Sequence, residues 1–319
     1  MAAPSSSPGG WCAAVDIGGT KVAVSLAQAS SGRPLLTGRR SEPSAKEGSP
    51  AALSAQVLRL IDAACVDSDL APGQPGAVGV SACGPFTMRE GMVELAAPNI
   101  CGGLAGPARG LANHWVSAPL EAPLRRRFEI VRVEIDTIAA LEAERRWGAL
   151  QGVGHCAYVT WSTGIGMGLC VDGHVLRGKN GNAGHAGHSF VVDEAEALCG
   201  CGNLGDVESL IGGNAIQRRF GIDAAQLLGG AQRGEELALS RVDELCRVMG
   251  RALYNLVVTL DLQRICLGGS VFWSHRDFLL PRLQQELAGK LPALTDDCSL
   301  VSAGLGAEVG DFGAIALVL

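Results

Sequence analysis

Two stretches of the chain set short β-favouring runs on either side of glycine. Cys12-Ala-Ala-Val-Asp-Ile17 and Lys21-Val-Ala-Val-Ser-Leu26 flank Gly18-Gly19, which predicts a glycine-turned β-hairpin. Ala157 to Trp161 and Ile165 to Val171 flank Ser162-Thr163-Gly164 and predict a second hairpin of the same kind. Between them, Ser49-Pro50 offers a helix start, and Leu53, Val57, Leu60, Ile61 and Ala64 fall on one face of a helix that ends before Pro72. Ala77-Val-Gly-Val-Ser81 predicts a short buried strand. The stretch from Cys83 to Pro123 is punctuated by Gly84-Pro85, Pro98-Asn99 and Gly102-Gly103 and predicts substrate loops.

Ile130-Val-Arg-Val-Glu-Ile135 alternates as a half-buried strand does, and Asp136 follows it immediately before a helical run from Thr137 to Trp147. This spacing puts a carboxylate at a strand end. Beyond the second hairpin, a loop rich in Gly, Asn and His runs from Arg177 to His188. The longest helix is expected from about Ser240 to Leu262, with Leu245, Met249, Leu253, Leu256 and Leu260 inward, closed by Leu267-Gly-Gly-Ser270.

With 319 residues the chain is long enough for two domains. No Pro-rich or Gly/Ser-rich linker divides it, so two lobes around one cleft are expected. A hydrophobic fraction of 47% with 18% charged residues excludes a disordered or fibrous chain. Net charge −6 leaves no electrostatic footprint for nucleic acid or an anionic membrane, and no apolar run reaches the length of a membrane span. Residues 1–11 lack a basic start and an apolar signal core, and read as a mobile leader on a cytoplasmic protein. The eleven cysteines are an odd number, mostly isolated in apolar stretches, and read as reduced core residues apart from Cys199-Gly-Cys201.

Glycine turns between strands can aim successive backbone N–H groups at a polyphosphate, although tight hairpins also occur without any ligand. Neither hairpin has the spacing of a Walker A loop or of the dinucleotide-binding fold. Asp16 ahead of the first turn, and the hydroxyls of Ser162 and Thr163 at the second, favour phosphate binding.

Taken together, Val15-Asp-Ile-Gly-Gly-Thr-Lys21, Asp136 before a helix, Ser162-Thr-Gly-Ile-Gly166, Ala183-Gly-His-Ala-Gly-His188, Cys199-Gly-Cys-Gly202 and Leu267-Gly-Gly269 resemble, in order and spacing, the ROK family. That family comprises repressors, uncharacterised reading frames and sugar kinases, and the resemblance is closest to glucokinases and N-acetylhexosamine kinases. It implies an α/β, two-lobed actin/hexokinase-like (ribonuclease H-like) fold. One lobe is expected over 12–136, joined by a C-terminal helix over 306–319, and the other over 137–305 with a zinc loop at 185–208. It also implies ATP, Mg²⁺ and Zn²⁺, a homodimer, and transfer of the ATP γ-phosphate to a primary sugar hydroxyl.

In residues, the resemblance implies Asp136 as general base, with an N-cap of the following helix as its other local reading. Gly18, Gly19, Thr20, Lys21, Thr163, Gly164, Gly268 and Gly269 are implied at ATP and its phosphates, with Asp16 holding Mg²⁺ through water. His188, Cys199 and Cys201 match three zinc ligands, while the fourth, usually cysteine in Cys-Gly-x-x-Gly-Cys-x-Glu, is Asp206 here. Zinc accepts carboxylate oxygen, and a metal-free loop with two thiols is the alternative. Gly84, Asn99, Asp136, His185, His188 and Glu208 are the candidate sugar contacts.

Two positions of the sugar pocket depart from the resembling kinases. Ile135 stands where an Asn precedes the base, and His185 stands where a Glu is usual; a solvated or core histidine remains the other reading of His185. A site that lacks an amide and a carboxylate suits a substrate changed on its ring. An amino-hexose or a C7-cyclitol, of the kind used in antibiotic and inhibitor biosynthesis, is expected ahead of glucose. A repressor would need a DNA-binding segment ahead of the first hairpin, where about eleven residues stand, and a non-catalytic sugar-binding protein would be free to lose Asp16, Thr20, Thr163 and Asp136.

Overall fold

The computed structural model describes residues 10–30, 32–104, 110–193 and 196–319. Its chain divides into two compact units. The first comprises residues up to Trp147 with Arg177–Asn182 and Glu308–Leu319, and the second comprises Gly148–Leu176 and Ala183–Ala307.

In the first unit, β1 (Trp11–Ile17) and β2 (Lys21–Gln28) form the predicted hairpin, and β3 (Leu36–Pro43) adds to β2. Helix α1 (Ala52–Asp67) buries Leu53, Val57, Leu60, Ile61 and Ala64, the face read from the sequence. Strand β4 (Ala77–Ala82) then pairs parallel with β1. Its six residues are all buried, as expected for a strand covered on both faces.

The stretch read as loops holds regular structure instead. Strands β5 (Phe86–Arg89), β6 (Met92–Leu95) and β7 (Ala118–Pro119) form a small antiparallel sheet, followed by the short helix α2 (Glu121–Arg125). Strand β8 (Ile130–Ile135) pairs parallel with β4 and completes the sheet order β3-β2-β1-β4-β8. Helix α3 (Asp136–Trp147) follows at once. The last helix, Val309–Ala316, packs on α3, β1 and β4, so the first unit runs to Trp147 rather than ending at Asp136. Its fit is close: a side chain on Gly79 of β4 would overlap the carbonyl of Ala314. Of the expected leader, only Gly10 and Trp11 are described, and Trp11 already opens β1.

The second unit repeats the hairpin theme with β9 (Cys156–Trp161) and β10 (Ile165–Val171), and β11 (His174–Val175) extends it. Helices α4 (Val207–Ile211), α5 (Gly213–Phe220), α6 (Ala224–Gln232) and α7 (Glu236–Leu260) follow. Helix α7 ends at Asp261, and the residues after it, expected only to close a helix, form β12 (Arg264–Gly268). That strand pairs with β9 in the middle of the sheet β11-β10-β9-β12-β13. Helices α8 (Ser270–Trp273), α9 (Arg276–Leu287) and α10 (Pro292–Thr295) lead to β13 (Ser299–Ser302). The buried faces of α4 to α9 and of this sheet form one apolar core around Trp161, Leu245, Met249, Leu253 and Phe272. All eleven cysteines are free thiols, eight of them buried. No helix among the described residues is long and apolar enough to cross a membrane.

Candidate active site

In the first unit, Ile17, Ala82 and Ile135 are register neighbours at the C-terminal ends of three parallel strands. The segments leaving these strands therefore emerge side by side, about 10 Å apart from first to last at normal strand spacing. From β1 comes the turn Gly18-Gly19-Thr20, closed by the Gly18 N–H donating to the Lys21 carbonyl at 2.9 Å. From β4 come Cys83 and Gly84, and from β8 comes Asp136. This is the edge at which open α/β sheets bind ligands.

Asp16 lies just inside the first turn and accepts the Ser81 hydroxyl at 3.3 Å. Burial raises its carboxyl above the ordinary range and the charge of Asp311 adds to this, against the opposing pull of Ser81, Lys21 and Arg39. Asp311 is itself held by Arg39 at 2.9 Å. Thr20 and Lys21 are exposed, and the Thr20 carbonyl accepts the N–H of Ser44 at 3.1 Å. Asn99 folds over the turn so closely that a Cβ on Gly19 would overlap its amide nitrogen. On its other side, Asn99 Oδ1 receives the Cys83 thiol at 3.7 Å. That thiol is pushed up to about 12, first by burial and then by the charge of Asp136 and, less, of Asp16. Asp16, Asn99 and Asp136 thus surround one neutral thiol. Asp136 is exposed at the first position of α3, and its Oδ1 accepts the N–H of Thr137 at 2.7 Å. Ile135, which stands where the resembling kinases carry an Asn, is 3% exposed and belongs to the core.

In the second unit, the turn Ser162-Thr163-Gly164 is closed by the Ser162 N–H donating to the Gly164 carbonyl at 3.0 Å, and Thr163 is exposed. Gly268 ends β12, next to β9 in the sheet, and Gly269 leads into α8 with its backbone against the Trp161 carbonyl. Two glycine-flanked backbone segments therefore meet at the end of one sheet. His185 precedes a 3-10 turn over Ala186–His188, its ring stacked on His188 with centroids 6.3 Å apart.

His188, Cys199, Cys201 and Asp206 converge, with one donor atom of each lying within 4.8 Å of all the others. His188 Nδ1 is 3.0 Å from Asp206 Oδ2, 3.6 Å from Cys199 Sγ and 3.5 Å from Cys201 Sγ, and Cys201 Sγ is 3.6 Å from Asp206 Oδ2. A tetrahedral zinc ion at its usual bond lengths holds its donor atoms about 3.3–3.8 Å apart, so the set fits such an ion with little movement. Burial raises the Asp206 carboxyl, but the bonds from His188 and from the Ser209 N–H outweigh it and hold the group below the usual carboxylate range. Burial pushes the Cys199 thiol well above its ordinary range.

Sequence reasoning missed Ser81, Cys83, Arg39 and Asp311. Ser81 pairs with Asp16 across β1 and β4, a relation that two adjacent parallel strands would have given, whereas Asp311 reaches Asp16 only through the return of the last helix.

The sequence profile of the ROK family matches residues 12–319. A glucokinase of Aeropyrum pernix is 28% identical over 95% of both chains, and an N-acetylmannosamine kinase of Shigella boydii is 32% identical over 81% of this chain and 82% of its own. A ROK family glucokinase from Streptomyces griseus, solved in complex with glucose and AMPPNP, superposes with a TM-score of 0.71 at 26% identity, covering 96% of this chain and 98% of that one. Glycine turns at the ends of two five-stranded sheets, a carboxylate opening α3 and a four-donor cluster ahead of α4 thus accompany a match along nearly the whole sequence, and the chain belongs to the ROK family.

Proposed function

We propose that this protein is an ATP-dependent kinase that transfers the γ-phosphate to the primary hydroxyl of a hexose or hexose-like acceptor. The observation that carries this reading is the common strand edge of the first unit, where a glycine turn, Cys83-Gly84 and Asp136 leave neighbouring parallel strands and Asn99 lies over the turn. Asp136 takes the proton of the attacking hydroxyl, Asn99 and Gly84 orient the acceptor, and the N–H groups of the turn Gly18-Gly19-Thr20 receive phosphate oxygens. Phosphoryl transfer asks mainly for positioning and charge neutralisation, which fits a site rich in backbone donors.

Asp16 offers the hard oxygen that Mg²⁺ prefers and would hold it through water, where the ion supplies charge neutralisation at the phosphates. His188, Cys199, Cys201 and Asp206 would hold Zn²⁺ as a structural ion that fixes the loop bearing His185 and the start of α4, which bears Glu208. Thr20, Lys21, Thr163, Gly164, Gly268 and Gly269 serve the nucleotide.

Within this reading, an amino-hexose or a C7-cyclitol is preferred to glucose. The support is chemical: position 135 carries a buried Ile and position 185 a His, so an amide and a carboxylate are missing from the contacts that resembling kinases offer to ring hydroxyls. An unpaired buried polar group costs about 1–3 kcal/mol, enough for one to several decades of discrimination. The test is a coupled ADP-release assay comparing kcat/KM for glucose, N-acetylmannosamine, 3-amino-3-deoxyglucose and a C7-cyclitol in the parent and in Ile135→Asn with His185→Glu. Glucose as the best substrate of the parent, unimproved by the double change, would overturn the preference. No turnover of any acceptor would overturn the kinase reading.

A further inference from the structure

Glu208 lies in the first turn of α4, two residues after Asp206, and its carboxylate faces two other elements. Oε2 accepts the Ile165 N–H at 3.0 Å, at the point where the second glycine turn re-enters β10. Oε1 lies 3.7 Å from Cys199 Sγ, at the edge of the four-donor cluster. The backbone of Gly164 approaches so closely that a Cβ there would overlap the same carboxylate, which is why this turn residue carries no side chain.

Other bonds join the same parts. Gly213 and Asn214 donate backbone N–H groups to the carbonyls of Ser162 and Thr163 at 2.8 and 3.2 Å, and Trp161 Nε1 donates to the Ile211 carbonyl at 2.7 Å. The turn 162–164 is therefore clamped by α4 and the start of α5. Helix α4 is in turn begun by Asp206, whose Oδ1 accepts the Ser209 N–H at 2.7 Å while Oδ2 belongs to the donor cluster. One carboxylate caps the helix with one oxygen and faces the cluster with the other.

We propose that Glu208 is a positioning residue for the turn 162–164, and that a zinc ion held by His188, Cys199, Cys201 and Asp206 strengthens nucleotide binding through α4 and Glu208, with no sugar present. This rests on the reading of that turn as a phosphate-binding element. An ion that fixes Asp206 fixes the start of α4, and with it the carboxylate that holds the Ile165 N–H. A Glu208 that served only as a sugar contact would leave nucleotide affinity unchanged.

The test measures ADP with Mg²⁺ by calorimetry, without any acceptor, on protein loaded with zinc and on protein stripped by chelator, in wild type, Glu208→Gln and Glu208→Ala. Hydrogen bonds to charged acceptors support changes of about tenfold or more in an equilibrium. The expected result is about tenfold weaker ADP binding in Glu208→Ala, about threefold or less in Glu208→Gln, which keeps an acceptor for Ile165, and weakening on zinc removal in wild type that is absent in Glu208→Ala. Hydrogen exchange at the Ile165 amide supplies a readout in the wild-type protein, and it should accelerate on stripping. Wild-type binding that neither zinc removal nor Glu208→Ala alters, or an Ile165 amide equally protected with and without zinc, would overturn the inference alone. A wild-type protein that binds no ADP would overturn the phosphate reading of the turn and the inference with it.

Discussion

Replacing Asp136 by Asn separates two roles that one carboxylate could play. The side chain is exposed at the first position of α3 and its Oδ1 accepts the Thr137 N–H. An Asn carbonyl can accept the same bond, and losing a negative charge at a helix N-terminus costs about 0.3–1 kcal/mol. In a chain of this size that moves the melting midpoint by no more than about 2–4 °C. The chemical cost is much larger, because general-base assistance contributes about 10²–10⁴ in rate, or roughly 2.7–5.5 kcal/mol of activation free energy. The expected result is therefore a fall in kcat of at least ~10²-fold, with acceptor KM changed by less than about threefold and an almost unaltered melt. Coupled ADP release and differential scanning calorimetry on the same preparations measure the two quantities. A variant that turns over within about threefold of the parent would show that Asp136 only opens α3 and that the base lies elsewhere.

Gly19→Ala should raise the acceptor KM several-fold, since the new Cβ overlaps Asn99 and forces its amide away from the turn; steady-state kinetics checks it. Metal analysis of protein purified without chelator should find one zinc per chain, lost in Cys199→Ser or Cys201→Ser, and a fully active metal-free preparation would refute the structural ion. Zinc should also slow thiol labelling at Cys201, the one exposed cysteine, while Cys12, Cys101 and Cys246 stay unlabelled until unfolding. Burial raises those three thiols from an ordinary value near 9 to about 11, 11 and 12. The folded chain keeps them protonated while the unfolded chain ionises, so their contribution is whole below about pH 9. It is lost as pH rises towards 11–12, at about 1.4 kcal/mol per thiol per pH unit, and denaturant melts from pH 8 to 11 should show the decline.

The hairpin β1–β2, the strand β8 and the carboxylate after it were legible because each is written locally, the hairpin in β-favouring runs joined by glycine and β8 in a two-residue alternation closed by a helical run. Strands β5 and β6 are short and are joined through Glu90-Gly91, both at positive φ, a pair less recognisable than Asn-Gly, and the Gly and Pro around them carry the stronger loop signal. Strand β12 was hidden for another reason. Buried on nearly every side, Ile265, Cys266 and Leu267 have no polar alternation to set them apart from the helix before them. In the site, His188, Cys199, Cys201 and Asp206 were implied only by the resemblance to the ROK family, and the fold brings their donor atoms together. That Asp206 also caps α4, and that Asn99 lies over Gly19, are facts of side-chain direction that a one-dimensional pattern does not carry.

The last helix has a consequence for how the molecule is made. Residues Val309–Ala316 cover β1, β4 and α3, elements synthesised far earlier, and the carbonyl of Ala314 meets Gly79 without room for a methyl group between them. On the ribosome, the first unit therefore waits with one face of its sheet open throughout translation of the second. A nascent chain halted anywhere in the second unit presents bare Ala and Val side chains to chaperones and proteases, whereas one that has released Ala316 no longer does. A chain that stops ahead of Val309 therefore leaves an apolar face of β1, β4 and α3 uncovered, a loss of closure for the whole unit and not a local weakening.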